Sequence, residues 1–336
     1  MLSFKGIGMS VLEMSHRSPE FEAILESAKQ GIRDLLLVPE NYQILFLQGG
    51  ASLQFSMIPM NFLTEGHSAD YIITGTWSEK ASAAAKRCGQ VNEIFSSAKD
   101  GFKSVPGQDE LRFTIGSRYV HYASNETIDG VEFKYDLDAY GTPVVCDASS
   151  NILSKPINIE KYALIYAGAQ KNIGSSGVTL VIIRDDLLET APDVRHAILD
   201  YRNFAKHWSM PNTPNTWGIY LIDLVCEWLK AQGGLAPMKE RNEEKAALVY
   251  AAIDSSDGFY QGHAERNARS VMNVTFRLSS EDLEKKFADE AAEIGLSGLR
   301  GHRSVGGIRA SIYNAFPRSG IETLVDFMDH FAVRNG

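Results

Sequence analysis

Tyr162-Ala163-Leu164-Ile165-Tyr166-Ala167-Gly168-Ala169-Gln170-Lys171-Asn172 is the stretch that decides the reading of this chain. Tyr162–Ala167 is an apolar run that reads as a buried strand, and Gly168–Lys171 is a small-residue turn carrying one lysine. The same design recurs on both sides. Tyr42–Leu47 is followed by Gly49-Gly50-Ala51-Ser52, Tyr71–Thr74 by Thr76-Trp77-Ser78, and Thr142–Cys146 by Asp147. Gly177–Ile183, Leu111-Arg112-Phe113 and Tyr119–Ala123 read as further strands. Helices fall between them. Ser18-Pro19 caps and opens one whose apolar residues 21, 24, 25, 28, 32, 35 and 36 share a face, ending at Pro39-Glu40-Asn41. Others are expected at Leu53–Leu63, Ser78–Cys88 and Trp217–Trp228. Alternating strands and helices predict an α/β fold, a wound sheet covered on both faces.

From about Lys239 the texture changes. A charged helix, Met238–Ile253, leads to strands near Val271–Leu278 and Gly307–Tyr313 and a helix at Glu281–Ile294. The expected division is a large domain over 1–238 and a smaller α+β C-terminal domain over 239–336.

Composition narrows the function. The 336 residues are 44% hydrophobic and 22% charged, as in ordinary globular enzymes. Lys plus Arg total 33 against 42 Asp plus Glu, a net charge of −9 that argues against a nucleic-acid or anionic-membrane surface. An anionic ligand must therefore be held by a local cluster of donors. Cys88, Cys146 and Cys226 form no CxxC pair, which suits a reducing compartment. No run of eighteen apolar residues exists and no signal-peptide core opens the sequence, so a cytoplasmic location is expected. The eight histidines are scattered, and no metal site, GxSxG, HExxH, Walker A or GxGxxG pattern is present.

In open α/β sheets, ligands sit beyond the carboxyl ends of the strands. Gly49-Gly50-Ala51-Ser52 opens a helix and could cradle an anion on backbone N–H groups. Trp77 could offer its face to a planar ring. Asp147 is an acid at the end of an apolar strand, costly to bury unless paired. Lys171, between an apolar strand and small residues, could become a nucleophile toward carbonyls as its pKa falls. Arg309 alternates with Ile308 and Ala310 and would project from a strand, near His302-Arg303; His16-Arg17 precedes the first long helix. Singly, each has an ordinary alternative: a Ser N-cap, an interface Trp, a structural ion pair, a loop lysine, a surface arginine. Jointly, a lysine, a strand-end acid, a stacking Trp and an anion cradle have one economical explanation, pyridoxal 5'-phosphate (PLP).

At this point the sequence resembles the phosphoserine aminotransferase family, in the class V branch of fold-type I PLP enzymes. The resemblance spans essentially the whole chain. It is densest in Ser15-His16-Arg17-Ser18, Gly49–Ser52, Thr74-Gly75-Thr76-Trp77-Ser78, Asn125-Glu126-Thr127-Ile128-Asp129-Gly130, Asp147–Ser150, Ala167–Asn172, Asn212-Thr213-Pro214 and Gly301–Ser311. It implies a large PLP-binding domain with a mostly parallel seven-stranded sheet. By the resemblance, Lys171 would form the Schiff base and move the Cα proton, Asp147 would pair with the pyridine nitrogen, Trp77 would stack on the ring and Thr127 would bond near its edge. Ala51, Ser52 and Gln170 would bind the cofactor phosphate, joined by Asn212 and Thr213 from a second subunit, which implies a homodimer. Arg309 would hold the substrate α-carboxylate, and His16, Arg17, His302 and Arg303 the phosphate or side-chain carboxylate. The implied reaction is reversible, ping-pong amino transfer between glutamate and 3-phosphohydroxypyruvate in serine biosynthesis, with phosphohydroxythreonine as a related substrate.

Two departures stand out. The family begins with a segment upstream of Met1, including an Ala-Gly-Pro turn, and residues upstream are expected. Some relatives carry a bulkier or basic residue at position 52, where this chain has Ser. Alternatives within the class are a cysteine desulfurase, which needs a nucleophilic Cys on a mobile loop, and an alanine–glyoxylate aminotransferase, which would not need the His-Arg pairs. A non-catalytic PLP-binding protein is the alternative outside it.

Overall fold

The computed structural model describes residues 3–192, 196–303 and 305–336. Seven strands build the main sheet: β1 (Tyr42–Leu47), β2 (Ser68–Ile73), β3 (Gln90–Ser96), β4 (Val120–Ala123), β7 (Val144–Asp147), β8 (Leu164–Gly168) and β9 (Thr179–Arg184). Between β4 and β7 a short antiparallel hairpin pairs β5 (Asn125–Glu126) with β6 (Val131–Glu132). The order is β1-β9-β8-β7-β4-β2-β3, and only β9 runs against the others. β1 and β8 therefore end at the same edge although β9 lies between them.

The helices follow from the pattern. α1 (Pro19–Leu36) is capped by Ser18, whose hydroxyl accepts from the Phe21 N–H at 3.3 Å, and it stops at Leu37, which adopts φ 53°. α2 (Gly50–Phe62) begins three residues earlier than periodicity suggests, because Gly49 and Gly50, at φ 91° and 65°, turn the chain straight from the strand into a helix. α3 (Thr76–Ala85), α4 (Asp185–Glu189), α5 (Tyr201–Lys206) and α6 (Thr216–Ala231) complete the covering layers. Phe21, Ile24 and Leu25 of α1 and Ile219 and Ile222 of α6 bury one sheet face with Phe46, Cys146 and Ile165. Phe55 and Ile58 of α2 and Ala81 of α3 bury the other with Leu45, Tyr71, Val145 and Tyr166. Each such fully buried large side chain contributes about 1.5–3 kcal/mol.

α7 (Leu235–Asp254) leads to a second sheet, β10 (Gln261–Gly262), β11 (Asn273–Arg277) and β12 (Ile308–Ser311), antiparallel throughout. α7, α8 (Glu281–Glu293) and α9 (Arg318–Asn335) pack on it around Phe276, Phe287, Phe327 and Phe331. Polar side chains join the two sheets. Asn125 donates to Asn273 Oδ1 at 2.9 Å, Thr275 Oγ1 to the Asp129 carbonyl at 2.9 Å, and the Asn314 N–H to Asn172 Oδ1 at 3.0 Å.

Two expectations need correction. Leu111-Arg112-Phe113 is not a strand: Arg112 turns back onto the Asp109 and Leu111 carbonyls in a loop. The helix expected at Ser78–Cys88 is shifted, because the Glu126 carboxylate takes the Trp77 and Ser78 N–H groups and starts α3 at Thr76.

Candidate active site

The carboxyl edge of the main sheet brings Lys171, Thr127 and Trp77 together beside the strand that ends in Asp147. β8 ends at Gly168, and the turn that follows closes with the Gly174 N–H on the Ala169 carbonyl. That turn aims Lys171 at the neighbouring hairpin, where its Nζ lies 2.6 Å from Thr127 Oγ1 and 5.1 Å from the centre of the Trp77 ring. Burial lowers the Lys171 pKa; Asp147 and Glu126 oppose the shift, and the Arg309 charge reinforces it. A nucleophilic amine needs that direction.

Asp147 closes β7 and is 6% exposed. Its Oδ1 accepts from the Ser149 N–H at 2.9 Å. Burial raises its pKa while Lys171 and the Ser149 bond support the charge. The carboxylate thus gains most from a cation placed against it.

Trp77 stands in the first turn of α3, with its indole N–H buried and unpartnered. Ala51 is half-buried and Ser52 exposed in the first turn of α2, whose unpaired N–H groups attract an anion. A side chain at Gly50 would meet nothing within 4 Å, so this turn faces open space. Gln170 folds back over Gly168, where an added Cβ would lie 2.9 Å from its Oε1. Asn212 and Thr213 are exposed beside two consecutive left-handed residues, Trp208 (φ 53°) and Ser209 (φ 68°). The Ser209 hydroxyl anchors that turn by accepting from the Phe46 N–H at 3.0 Å.

Arg309 projects from β12 as the alternation requires, with Ile308 and Ala310 on the buried face. Its Nε is buried and unpartnered, beside a cleft of about 270 Å³ lined by Thr76, Asp129, His263 and Arg277. Partial burial and the charges of Arg309, Lys80 and Arg303 lower the His302 pKa, so these four belong to one electropositive cluster. Ser304, in the same string, lies outside the described residues. His16 and Arg17 precede α1; no hydrogen bond or ion pair among the described residues joins them to Lys171 or Arg309.

Two residues escaped the sequence reading. Lys80 lies three residues after Trp77 on α3, its Nζ 4.7 Å from that ring; the helical spacing was the available signal. Glu126 is fully buried and clamps the start of α3 through Trp77 N (2.9 Å) and Ser78 N (2.8 Å); it stands in the Asn125–Gly130 string, but nothing local gives it this role. The cysteines take no part in this chemistry: Cys146 precedes Asp147 on β7, but its side chain is buried in the core on the opposite face of the sheet. Burial pushes Cys146 and Cys226 up to about 12 and raises Cys88, so none is a ready thiolate. Among the described residues no group of His, Cys, Asp and Glu could hold a metal ion.

Comparison with known proteins places the chain in a family. The class-V aminotransferase family matches residues 3–324, and the chain belongs to that family. A phosphoserine aminotransferase of Geobacillus kaustophilus is 53% identical over 336 residues, covering 99% of this chain and 92% of the relative. One from Acinetobacter baumannii is 52% identical, covering all of this chain and 93% of the relative. The solved phosphoserine aminotransferase of Bacillus circulans subsp. alkalophilus superposes with a TM-score of 0.97 at 46% identity over 99% of this chain and 92% of that one. A PLP-bound phosphoserine aminotransferase from Trichomonas vaginalis gives 0.92 at 40%, covering 98% and 93%. An alanine–glyoxylate aminotransferase from Nostoc, at 17% identity and 0.80, shares the fold alone.

Proposed function

We propose that this chain is a PLP-dependent phosphoserine aminotransferase, moving an amino group reversibly between glutamate and 3-phosphohydroxypyruvate. The observation that carries the reading is Lys171: a largely buried amine, in hydrogen-bond contact with Thr127 and under the Trp77 ring, that forms no ion pair among the described residues. The site suits PLP on its own features. The indole N–H of Trp77 and the Nε of Arg309 are buried donors without acceptors, and the first residue of α2 opens onto free space.

When bound, PLP supplies an aldehyde that condenses with amines and a cationic ring that withdraws electrons from the substrate Cα. Lys171 would offer the amine that such an aldehyde takes and would serve as the base for the Cα proton. Asp147 would support a cationic ring nitrogen, and Thr127 and Trp77 would help hold the ring. Ala51, Ser52 and Gln170 take the cofactor phosphate, with Asn212 and Thr213 contributed across a homodimer. Arg309 presents its planar fork to the α-carboxylate. His302 and Arg303, with His16 and Arg17, take the second anionic group. Adaptable cationic donors accept a phosphate and a carboxylate in turn, which a ping-pong reaction requires. We take residues 1–238 and 239–336 as the two domains, and a cytoplasmic location suits the class; no helix among the described residues is long and apolar enough to cross a membrane.

The test is an assay with phosphoserine and 2-oxoglutarate beside a Lys171→Ala variant. The wild type should be yellow and active, and the variant should lose several orders of magnitude of turnover. Equal turnover in both would remove the lysine's role.

A further inference from the structure

Directly after Asp147 the chain winds into a compact turn, with the Ile152 N–H on the Ala148 carbonyl at 2.8 Å, and leaves it through Leu153 at φ 57°. That left-handed backbone is strained for a leucine and persists only where the surroundings hold it. Three asparagines hold it, each donating its side-chain amide to one of three consecutive carbonyls. Asn172 Nδ2 donates to the Ile152 carbonyl at 2.7 Å, Asn314 Nδ2 to that of Leu153 at 2.8 Å and Asn242 Nδ2 to that of Ser154 at 3.1 Å. The three come from different parts of the fold: the turn of Lys171, the exit of β12, and α7.

The rungs of this ladder also bond to one another. Asn172 Oδ1 accepts from the Asn314 N–H at 3.0 Å, and Asn314 Oδ1 accepts from Asn242 Nδ2 at 2.8 Å. Asn242 and Asn314 are buried, where such bonds are strong and an unmade one is costly. Lys245, one helical turn after Asn242 on α7, is buried as well and closes the far end. Its Nζ donates to the carbonyls of Ile312 at 3.0 Å, Tyr313 at 2.8 Å and Phe316 at 3.2 Å. The ladder thus ties together three segments that each carry one group of the site. Asp147 stands five residues before Ile152, Lys171 is next to Asn172, and Arg309 stands five residues before Asn314.

We propose that Asn172, Asn242 and Asn314 are positioning residues that set the reach of Lys171: by pinning its turn to the segment after Asp147 and to the exit of β12, they hold its amine in one place relative to Asp147 and Arg309. This rests on the PLP reading above, in which the lysine nitrogen joins the aldehyde carbon and the aldehyde oxygen leaves as water. The asparagines touch neither cofactor nor substrate in this assignment; they decide how well the amine meets the aldehyde.

The test compares two forms of the cofactor. Cofactor-free protein is titrated with PLP, which Lys171 captures covalently. It is also titrated with pyridoxamine 5'-phosphate, which carries an amine in place of the aldehyde and needs no such capture. Asn172→Ala and Asn314→Ala should each weaken PLP binding about tenfold, the effect of misplacing one bond-forming group by the loss of a hydrogen bond. Pyridoxamine 5'-phosphate binding should weaken by less than twofold. Leu324→Ala, a truncation in the core of the second sheet away from the ladder, controls for lowered stability and should leave the ratio of the two affinities unchanged. Thermal melts of the cofactor-free proteins check folding. An equal loss for both cofactors, or failure of both asparagine variants to fold, would assign the ladder to stability alone and overturn the proposal. A Lys171→Ala protein that kept the wild type's full preference for PLP would instead remove the lysine as the capturing group, and the underlying reading with it.

Discussion

Glu126 shows how one buried acid can serve a site without touching substrate. Its two oxygens hold the Trp77 and Ser78 N–H groups, and so the helix start on which Trp77 stands. Burial raises its pKa from 4.5 to about 7, helped by the nearby Asp129 and opposed by the Ser78 and Trp77 bonds. The folded state thus holds this proton more tightly than the unfolded chain. The stabilisation is complete below about pH 4.5 and is lost as pH rises through about 7, by on the order of 3 kcal/mol. Melting temperatures of the cofactor-free wild type should fall across that window more steeply than those of Glu126→Gln. The variant should start lower at acid pH by about 1–3 kcal/mol, because an amide leaves one N–H without an acceptor. Parallel curves would show that Glu126 does not titrate there.

At the scale of elements, the seam between the two sheets decides where Arg309 stands. Gly130, at φ 71°, sits where an added Cβ would meet Thr275 Oγ1 and would lie 2.7 Å from the Asn273 carbonyl. Thr275 is the register partner of Arg309 across β11 and β12. Gly130→Ala should cost about 2–4 kcal/mol in chemical denaturation, from overpacking and the left-handed backbone. It should also raise KM for both amino donors, by moving the arginine. Lower stability with unchanged KM would show that the seam does not position Arg309. Elements also separate what could be read from the sequence from what could not. β1, β7, β8 and β9 are buried on both faces and announce themselves as apolar runs. β3, Gln90–Ser96, lies at the sheet's edge, and its half-exposed mixture Gln-Val-Asn-Glu-Ile-Phe-Ser gives no such run. Lys171, Asp147, Trp77 and Arg309 were legible because chemistry-bearing types stand just beyond or along strands. Glu126 and Lys80 were not, since their meaning lies in contacts made across the fold or along a helix face.

At the scale of the whole molecule, the exposed turn at Trp208–Thr213 is where the proposed sharing of a site between two chains can be tested. Trp208 is 59% exposed, and Asn212 and Thr213 stand beside it, while Ser209 ties the turn to β1. If these residues serve the active site of a second copy, two defects on different chains should complement each other. Lys171→Ala chains mixed and refolded with chains carrying N212A and T213A should give more activity than either parent, because one site of each hybrid keeps every group. Activity no higher than the sum of the parents would mean that each chain builds its site alone.

The hydroxyls and imidazole threaded through the interior have a further consequence, for how the chain reaches this shape. Because side chains alternate with a period of two, a strand seated two places out of line would still present an oily face to its neighbours. Hydrophobic burial alone would barely notice the mistake. Tyr71 and Tyr119 meet hydroxyl to hydroxyl at 3.0 Å, and His121 on β4 meets Tyr166 on β8 at 2.8 Å across the intervening β7. Any slip would strand those groups in a dry core, at about 1–3 kcal/mol each. These two pairs therefore act as a proofreading key, penalising sheets that are well buried but wrongly threaded.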